Sequence, residues 1–327
     1  MATYTKTVDP NGGADYLSLA LWEAGEGSLY AAGDIAIADC LRTGATKDTT
    51  PVSVSGWTLS VIPKIIVNTA YQHEGKFADQ RSDGNYIYTL EPSLGGDALR
   101  LNQDSIKVER LIIYPCTTDF SIGINFYARD YIWCDAILCD GQLSNVQGAE
   151  NTGVSNLLTN SIFMRCNSAF KGNARLNGTI SVYSCLFYGA TGSYAPGFRA
   201  DASTVKVRNT LVLNNAYRDF YNTNGDVDYC ISSNASAPGT TVAINKTAYA
   251  DYFVDHTDGD FHLKDTSQNL WGIVSANLFS TFTTDIDGDT RPDSDQFGIG
   301  PDYYAATGLQ PPTNLRVVNI SPTETRL

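Results

Sequence analysis

The chain has 327 residues, with 22 Lys plus Arg against 35 Asp plus Glu, a net charge of −13, and 43% apolar but only 17% charged residues. That balance describes a folded chain of one large domain or two modest ones and excludes a disordered one; the acidity argues against nucleic acid as a partner, and no run of about 18 apolar residues offers a membrane span. Nineteen Tyr and 28 Gly beside 2 Met point to strands and turns.

The N-terminus reads MATYTKTVDPNGGADY. It lacks a basic stretch followed by an apolar one, so no secretory leader is expected; the chain then stays in the cytoplasm where it is made, or Met1 begins a shortened chain. Residues 16–26, YLSLALWEAGE, form the best helical stretch. Leu17, Leu21 and Ala24 fall on one face, with Leu19 and Trp22 beside them. A helix here suits a cap, expected over residues 1–50, for the open end of a strand stack.

From residue 51 to 247 a repeat emerges. Six segments share an apolar–x–x–x–apolar pattern: Val108–Ile112, Trp133–Ile137, Leu158–Ile162, Val182–Leu186, Val207–Leu211 and Val227–Ile231. Their last residues are spaced by 25, 25, 24, 25 and 20. The segments are short, rich in Val, Ile, Thr, Tyr and Phe, and bounded by Gly, Asn, Asp and Ser, so they read as strands. Two or three strands in about 25 residues make one coil of a parallel β-helix.

The central residue of the motif is Asp135, Asn160, Ser184 and Asn209 in four consecutive coils. A polar residue placed there repeatedly marks a bend, because Asn and Asp tolerate the left-handed region. Stacked coils would align these side chains in a ladder. Arg110 and Tyr229 depart from the pattern at its two ends. Period and motif resemble the right-handed parallel β-helix of the pectin-lyase-like superfamily, in which such a bend residue separates two of three sheets. The expected fold is therefore all-β, a right-handed parallel β-helix with a short N-terminal capping helix.

If strand alternation runs through the bend, Ile112/Tyr114, Ile137/Cys139, Ile162/Met164, Leu186/Tyr188 and Leu211/Leu213 point inward. Ile113, Leu138, Phe163, Phe187 and Val212 then form an apolar stripe about 19 Å long on the outside. A parallel sheet that is apolar on both faces is normally covered on both. Either the residues after Tyr249 fold back over it, or another subunit does. The fold-back is preferred, because residues 248–310 need a place.

That closing segment contains GDFHL within Asp258–Leu263, DIDGDTRP at Asp285–Pro292 and IGPDY at Ile299–Tyr303. These resemble the closing segments of many bacterial and phage β-helix proteins. The early stretches GGADYLSLALWEAGEG, GWTLSVIP and HEGKFADQRSDGNYIYTLE resemble openings found in β-helix proteins of bacteriophage genomes. Residues 311–327, PPTNLRVVNISPTETRL, resemble the start of a fibronectin type III domain.

Asp285, Asp287 and Asp289 alternate and could offer oxygens to calcium. The EF-hand pattern is not met, since Gly288 stands at position 4 and Gln296 at position 12. The preferred reading is an Asp-rich turn with Arg291 as its charge partner; otherwise no cofactor is expected. Carboxylates on neighbouring coils could in principle hydrolyse a glycoside. The candidates are Glu109, Asp130, Asp135, Asp140, Asp201, Asp219, Asp226 and Asp228, with Arg129 and Arg165 available to a lyase. No polygalacturonase-type N-T-D, D-D and G-H-G set is present, and His73, His256 and His262 all lie outside the repeat segments, so no catalytic residue is assigned and the enzyme reading stays behind. Seven cysteines without C-x-x-C spacing read as buried thiols; Cys185 and Cys230, like Cys116 and Cys166, fall two coils apart, about 9–10 Å and beyond disulfide reach.

The expected function is a bacteriophage virion structural protein: a capsid decoration protein, fibre or spike whose rigid rod serves display or adhesion. Its partners would be other virion proteins or copies of itself, as in a homotrimer, and a host surface glycan. It would be assembled in the host cytoplasm. The alternatives are a tailspike-type polysaccharide depolymerase and a bacterial cell-surface adhesin.

Overall fold

The structure, a computed structural model, describes residues 1–58, 60–116, 121–127, 129–142, 146–166, 174–176, 179–200, 205–223, 225–239, 242–264, 275–293 and 298–303. Residues 311–327, with their fibronectin-like pattern, lie outside them. Three parallel sheets of nine, eight and seven strands wind into a β-helix of about seven turns. From Lys107 to Tyr221, in each coil a first-sheet strand bends sharply into a second-sheet strand, and a longer turn leads to the third. One coil runs Trp133–Asp135, Leu138–Asp140 and Gln147–Asn151, and the next begins at Asn156–Thr159. No helix among the described residues is long and apolar enough to cross a membrane.

The stack begins earlier than the boundary at 51. Thr3–Val8 pairs with Ile35–Cys40, which pairs with Ile62–Val67, all in the first sheet. The capping helix, Leu19–Glu26, lies between the first two of these strands in sequence. Ser18 caps it by accepting from Leu21 N–H at 3.2 Å, and buried Asp48 accepts from Leu19 N–H at 2.8 Å and from the Tyr88 hydroxyl at 2.7 Å. Its inner face is Leu19, Trp22 and Glu26, whereas Leu17, Leu21 and Ala24 are exposed. The capped start selects this face, and it buries the large Trp22 ring against Trp57 at 5.2 Å.

The bend column is real, with one member shifted. Left-handed backbone occurs at Arg110, Ala136, Asn160, Ser184, Asn209 and Tyr229, with φ between 47° and 63°. Asp135 is not a bend residue; it ends the strand Trp133–Asp135 and Ala136 turns instead. The paired residues Ile112, Leu138, Ile162, Leu186, Leu211 and Ile231 have spacings of 26, 24, 24, 25 and 20. One coil is thus a residue longer than even spacing assumes. Arg110 and Tyr229 make the same bend as the Asn residues. The ladder is carried by the backbone: the N–H groups of Arg110, Ala136, Asn160 and Ser184 each donate to the next coil at 3.0–3.2 Å.

The bend also reverses the alternation, and this corrects the stripe. In one coil Val108, Leu111 and Ile113 all enter the interior, a step of three across the left-handed residue. Ile113, Phe163, Phe187 and Val212 therefore belong to the interior core, and of the proposed outer five only Leu138 faces out. Phe163 and Phe187 stack inside at 5.5 Å, and Phe187 continues edge-on to Phe198 at 5.3 Å. The outer column is instead Ile112, Leu138, Ile162, Leu186 and Leu211, flanked by Met164, Tyr188 and Leu213. Ile137 and Cys139 point inward as expected, because the one-residue shift of that coil cancels the reversal.

The chain's own C-terminal part covers this column. An antiparallel pair, Phe253–Asp255 with Asp260–Leu263, places Phe253, Phe261 and Leu263 on it, and Ile286 and Ile299 follow. Phe282 packs with Tyr183 on the first sheet's outer face, with Trp133, Leu157, Leu278 and Phe279 around them. The segment is thus a strap around the corner between first and second sheets.

Candidate functional site

The bend column holds the strap. Asn209 donates from Nδ2 to Ala276 C=O at 2.8 Å and accepts from Ala276 N–H at 2.7 Å; its own carbonyl accepts from Gly300 N–H at 2.7 Å. Asn160 donates to Thr284 C=O at 2.9 Å and to Asp135 at 3.0 Å, and accepts from Arg291 at 3.2 Å. The left-handed backbone sends these amides outward, where they serve as backbone-like partners for a segment that has no strand to pair with.

Arg291 is wholly buried. Its guanidinium donates to Thr284 C=O at 3.4 Å, Gly300 C=O at 3.0 Å and Pro301 C=O at 2.6 Å, as well as to Asn160. Burial lowers its proton affinity, while Asp285 and Asp302 oppose that; guanidinium keeps its charge in proteins. Asp285 accepts Asp287 N–H at 3.0 Å, Asp289 N–H at 2.8 Å and Tyr303 N–H at 3.2 Å. Asp302 accepts Leu263 N–H at 2.6 Å, tying the hairpin to the end of the strap. Burial raises both carboxyls, Asp285 to about 8 despite Arg291.

His262 lies between Asp260 at 2.5 Å on Nδ1 and Asp287 at 2.9 Å on Nε2. Burial works against its charge, but these carboxylates outweigh that and raise it to about 11. Both ring nitrogens then donate. His73 is the opposite case. Its Nδ1 accepts from Gly75 N–H at 3.2 Å, so Nε2 carries the proton and donates to Ala136 C=O at 2.7 Å. Complete burial lowers it to about 4, so it is neutral. Gly75 has φ of +70°, and a β-carbon there would lie 2.5 Å from His262 Nε2 and 2.6 Å from Asp287 Oδ1. The HEGKF loop therefore sits directly on the strap, and Phe77 N–H reaches Gly259 C=O at 3.4 Å. Three sequence stretches singled out for their resemblance meet at this cluster.

The carboxylates gathered here are Asp285, Asp287 and Asp302, with oxygens within 4.8 Å of one another. The sequence triad Asp285, Asp287 and Asp289 is not the one assembled: Asp289 contributes its backbone N–H to Asp285. Asp302 was missed as a partner because it lies 17 positions beyond Asp285. Calcium takes six to eight oxygens. Here both Asp285 oxygens already accept N–H groups, and Arg291 and His262 bring positive charge. The donor set fits a buried ion network better than a cation cage.

The other carboxylates serve the coils. Glu109 pairs with Lys107 at 2.7 Å, Asp226 with Arg208 at 2.6 Å, and Asp140 with Arg165, whose Nε lies at 2.9 Å. Asp130 accepts Val154 N–H at 3.1 Å, and Asp228 accepts Tyr229 N–H at 3.1 Å. Asp135 accepts the Thr159 hydroxyl at 2.6 Å, and buried Asp219 accepts Ser232 at 2.9 Å, Ser233 at 2.7 Å and Asn215 at 2.9 Å. Arg129 donates to Asn102 at 3.1 Å and His256 contacts the Tyr188 hydroxyl at 2.8 Å. Asp201 lies outside the described residues. All seven cysteines are free thiols, six of them buried.

No family model matches the chain, and no curated protein or solved structure matches it.

Proposed function

We propose that the protein is a structural component of a bacteriophage virion, a decoration protein, fibre or spike whose rod is a rigid scaffold. The observation that carries this reading is how the ionisable groups are used. The described candidate carboxylates hold strands, turns or the strap, and the densest charge cluster fastens the C-terminal segment to the rod. Such a molecule resists bending and local opening, as a mechanical part must. The resemblance of the opening and closing stretches to phage β-helix proteins supports the same reading, as does an acidic chain of net charge −13. The pectin-lyase-like kinship and the fibronectin-like continuation belong to this proposal. Gold-labelled antibody against the chain, applied to intact purified particles, tests it. Regular labelling of particles supports the proposal; label confined to host cell debris or bacterial surfaces contradicts it.

A further inference from the structure

Each of the three sheets has a first strand at the capped end of the rod, and a first strand leaves one row of backbone groups without a ladder partner. Two of these rows are covered. Ser55 N–H, in the first third-sheet strand Val52–Ser55, donates to Glu23 of the capping helix at 3.0 Å. Beside Thr89–Leu90, where the second sheet begins, Asp48 N–H donates to Thr89 C=O at 3.1 Å and Asp48 C=O accepts Glu91 N–H at 2.8 Å. The first sheet is different. In its first strand, Thr3–Val8, the carbonyls of Ala2 and Val8 accept from Ile35 and Leu41 N–H, so the even-numbered residues face the neighbouring strand and Thr3, Thr5 and Thr7 face the open side. Thr7 is satisfied there: Asp15 accepts its N–H at 2.9 Å, and Tyr16 N–H reaches its C=O at 3.0 Å. Among the described residues no hydrogen bond reaches Thr3 or Thr5 from the open side, and both are exposed.

The surface at this end is also apolar. The capping helix turns Leu21 and Ala24 away from the core, with Leu17 just before it; Leu17 and Leu21 are 54% and 52% exposed. Neither acid of the helix lies among them: Glu23 holds Ser55, and Glu26 is buried against the Tyr16 and Tyr30 hydroxyls. Leu29 is exposed, and half-exposed Tyr4 stacks on Tyr30 at 4.7 Å. A helix that is apolar on its outer face has a surface still to bury. Copies that each carry −13 repel one another, and the repulsion is least where such an uncharged end meets its like. The far end of the first sheet offers no complementary edge. A β-carbon on Gly239 would lie 2.2 Å from Val227 C=O, so the chain itself already covers the last strand, Asp226–Asp228.

We propose that two copies of the chain join end to end about a two-fold axis at Tyr4. Thr3 of one copy and Thr5 of the other then form antiparallel pairs that exchange both N–H···O=C bonds, Tyr4 faces its counterpart, and the Leu17 and Leu21 side chains of the two caps meet. The segment already seated on Thr7 sets where the pairing stops. This joint is not a side-by-side trimer. It goes beyond the virion reading and is independent of it: particle labelling can fail with the dimer intact, and the reverse. Sedimentation velocity on the full chain from about 1 to 200 µM, a range that detects micromolar association, tests it. The chain is expected to pass from monomer to dimer and stop there. Thr5→Pro removes an outward N–H while sparing the bonds to Ile35–Cys40, and Leu21→Lys places a charge in the joint. Each is expected to weaken the dimer at least about tenfold, whereas Val154→Lys, at an exposed mid-rod position, leaves it unchanged. Should Thr5→Pro fail to fold, as judged by circular dichroism, Leu21→Lys is read in its place. A chain that stays monomeric throughout, oligomers that grow past two, or a dimer that persists in the folded variant overturns the proposal.

Discussion

Replacing Arg291 with Met isolates the strap from the coils. Met roughly preserves the length of the side chain and removes the charge. It leaves the carbonyls of Gly300 and Pro301 and the amide oxygen of Asn160 without this donor, beside Asp285 and Asp302. Removing one partner from a buried ionic network costs about 3–5 kcal/mol. Because the described hydrogen bonds of Arg291 go to the strap and to one bend, the loss should fall on strap opening and not on global unfolding. At about 1.4 kcal/mol per factor of ten, opening rises by roughly two to three and a half powers of ten. Native-state proteolysis under rapid reclosing, with cleavage sites mapped by mass spectrometry, reads this directly. Cuts should accelerate between residues 250 and 303 while residues 180–213 stay resistant. Unchanged strap cleavage, or simultaneous loss of resistance along the whole rod, would refute the reasoning.

Other outcomes follow from the same geometry. For Asp285 the folded value of about 8 exceeds the ordinary carboxyl value of 3.8, and for His262 about 11 exceeds the ordinary imidazole value of 6.5. In both cases the folded state holds the proton more tightly, so their contributions are full below the unfolded values and fall as pH rises through the folded ones. Strap cleavage should therefore increase between pH 7 and 10, and Asp285→Asn should flatten the part below about pH 8; strap stability that rises with pH across this window would contradict the assignment. Tyr229→Asn should raise the urea midpoint, since non-glycine left-handed backbone costs about 1–2 kcal/mol and Asn relieves part of it; a lowered midpoint would show that the Tyr229 ring contributes more than the strain removes. Phe163→Ala should lower stability by about 3–5 kcal/mol, as befits an interior ring, and a loss under about 1 kcal/mol would return Phe163 to the surface. Gly75→Ala should loosen strap and HEGKF loop together, seen as joint protease sensitivity, because its β-carbon would strike His262 and Asp287; a resistant variant would place the loop elsewhere. Chelation by EDTA should leave the melting temperature unchanged, and a drop reversed by calcium would make the Asp285 cluster a cation site.

The coil period and the bends were legible because each coil repeats a local choice: a short β-branched or aromatic run, then a residue that tolerates positive φ. Asn160, Ser184 and Asn209 declared themselves by type. Ala136 did not, since its side chain carries no preference for that backbone, and the longer coil moved Asp135 into its apparent place. The inward and outward assignment failed for a stated reason. A left-handed residue breaks the two-residue alternation, so Phe163 and Phe187 moved from the expected surface to the core. The strap cluster was less legible still. Gly75, His262, Asp285, Arg291 and Asp302 come from distant parts of the chain, and no spacing rule links them. What marked them was the resemblance of the HEGKF, GDFHL and DIDGDTRP stretches to known openings and closings, whose physical basis is that these stretches touch. Arg291 read as the charge partner of an Asp-rich turn; in the fold it also crosses to Asn160 on the coils.

The central structural claim is that the chain's own strap, and not a second subunit, covers the outer face of the second sheet. Hydrogen exchange of the full chain at two concentrations about a hundredfold apart tests this most directly, since association responds to concentration and intramolecular docking does not. Peptides spanning 253–263, 284–293 and 186–213 should be equally protected at both. Protection that appears in them only at the higher concentration would contradict the account and give the covering role to another copy of the protein.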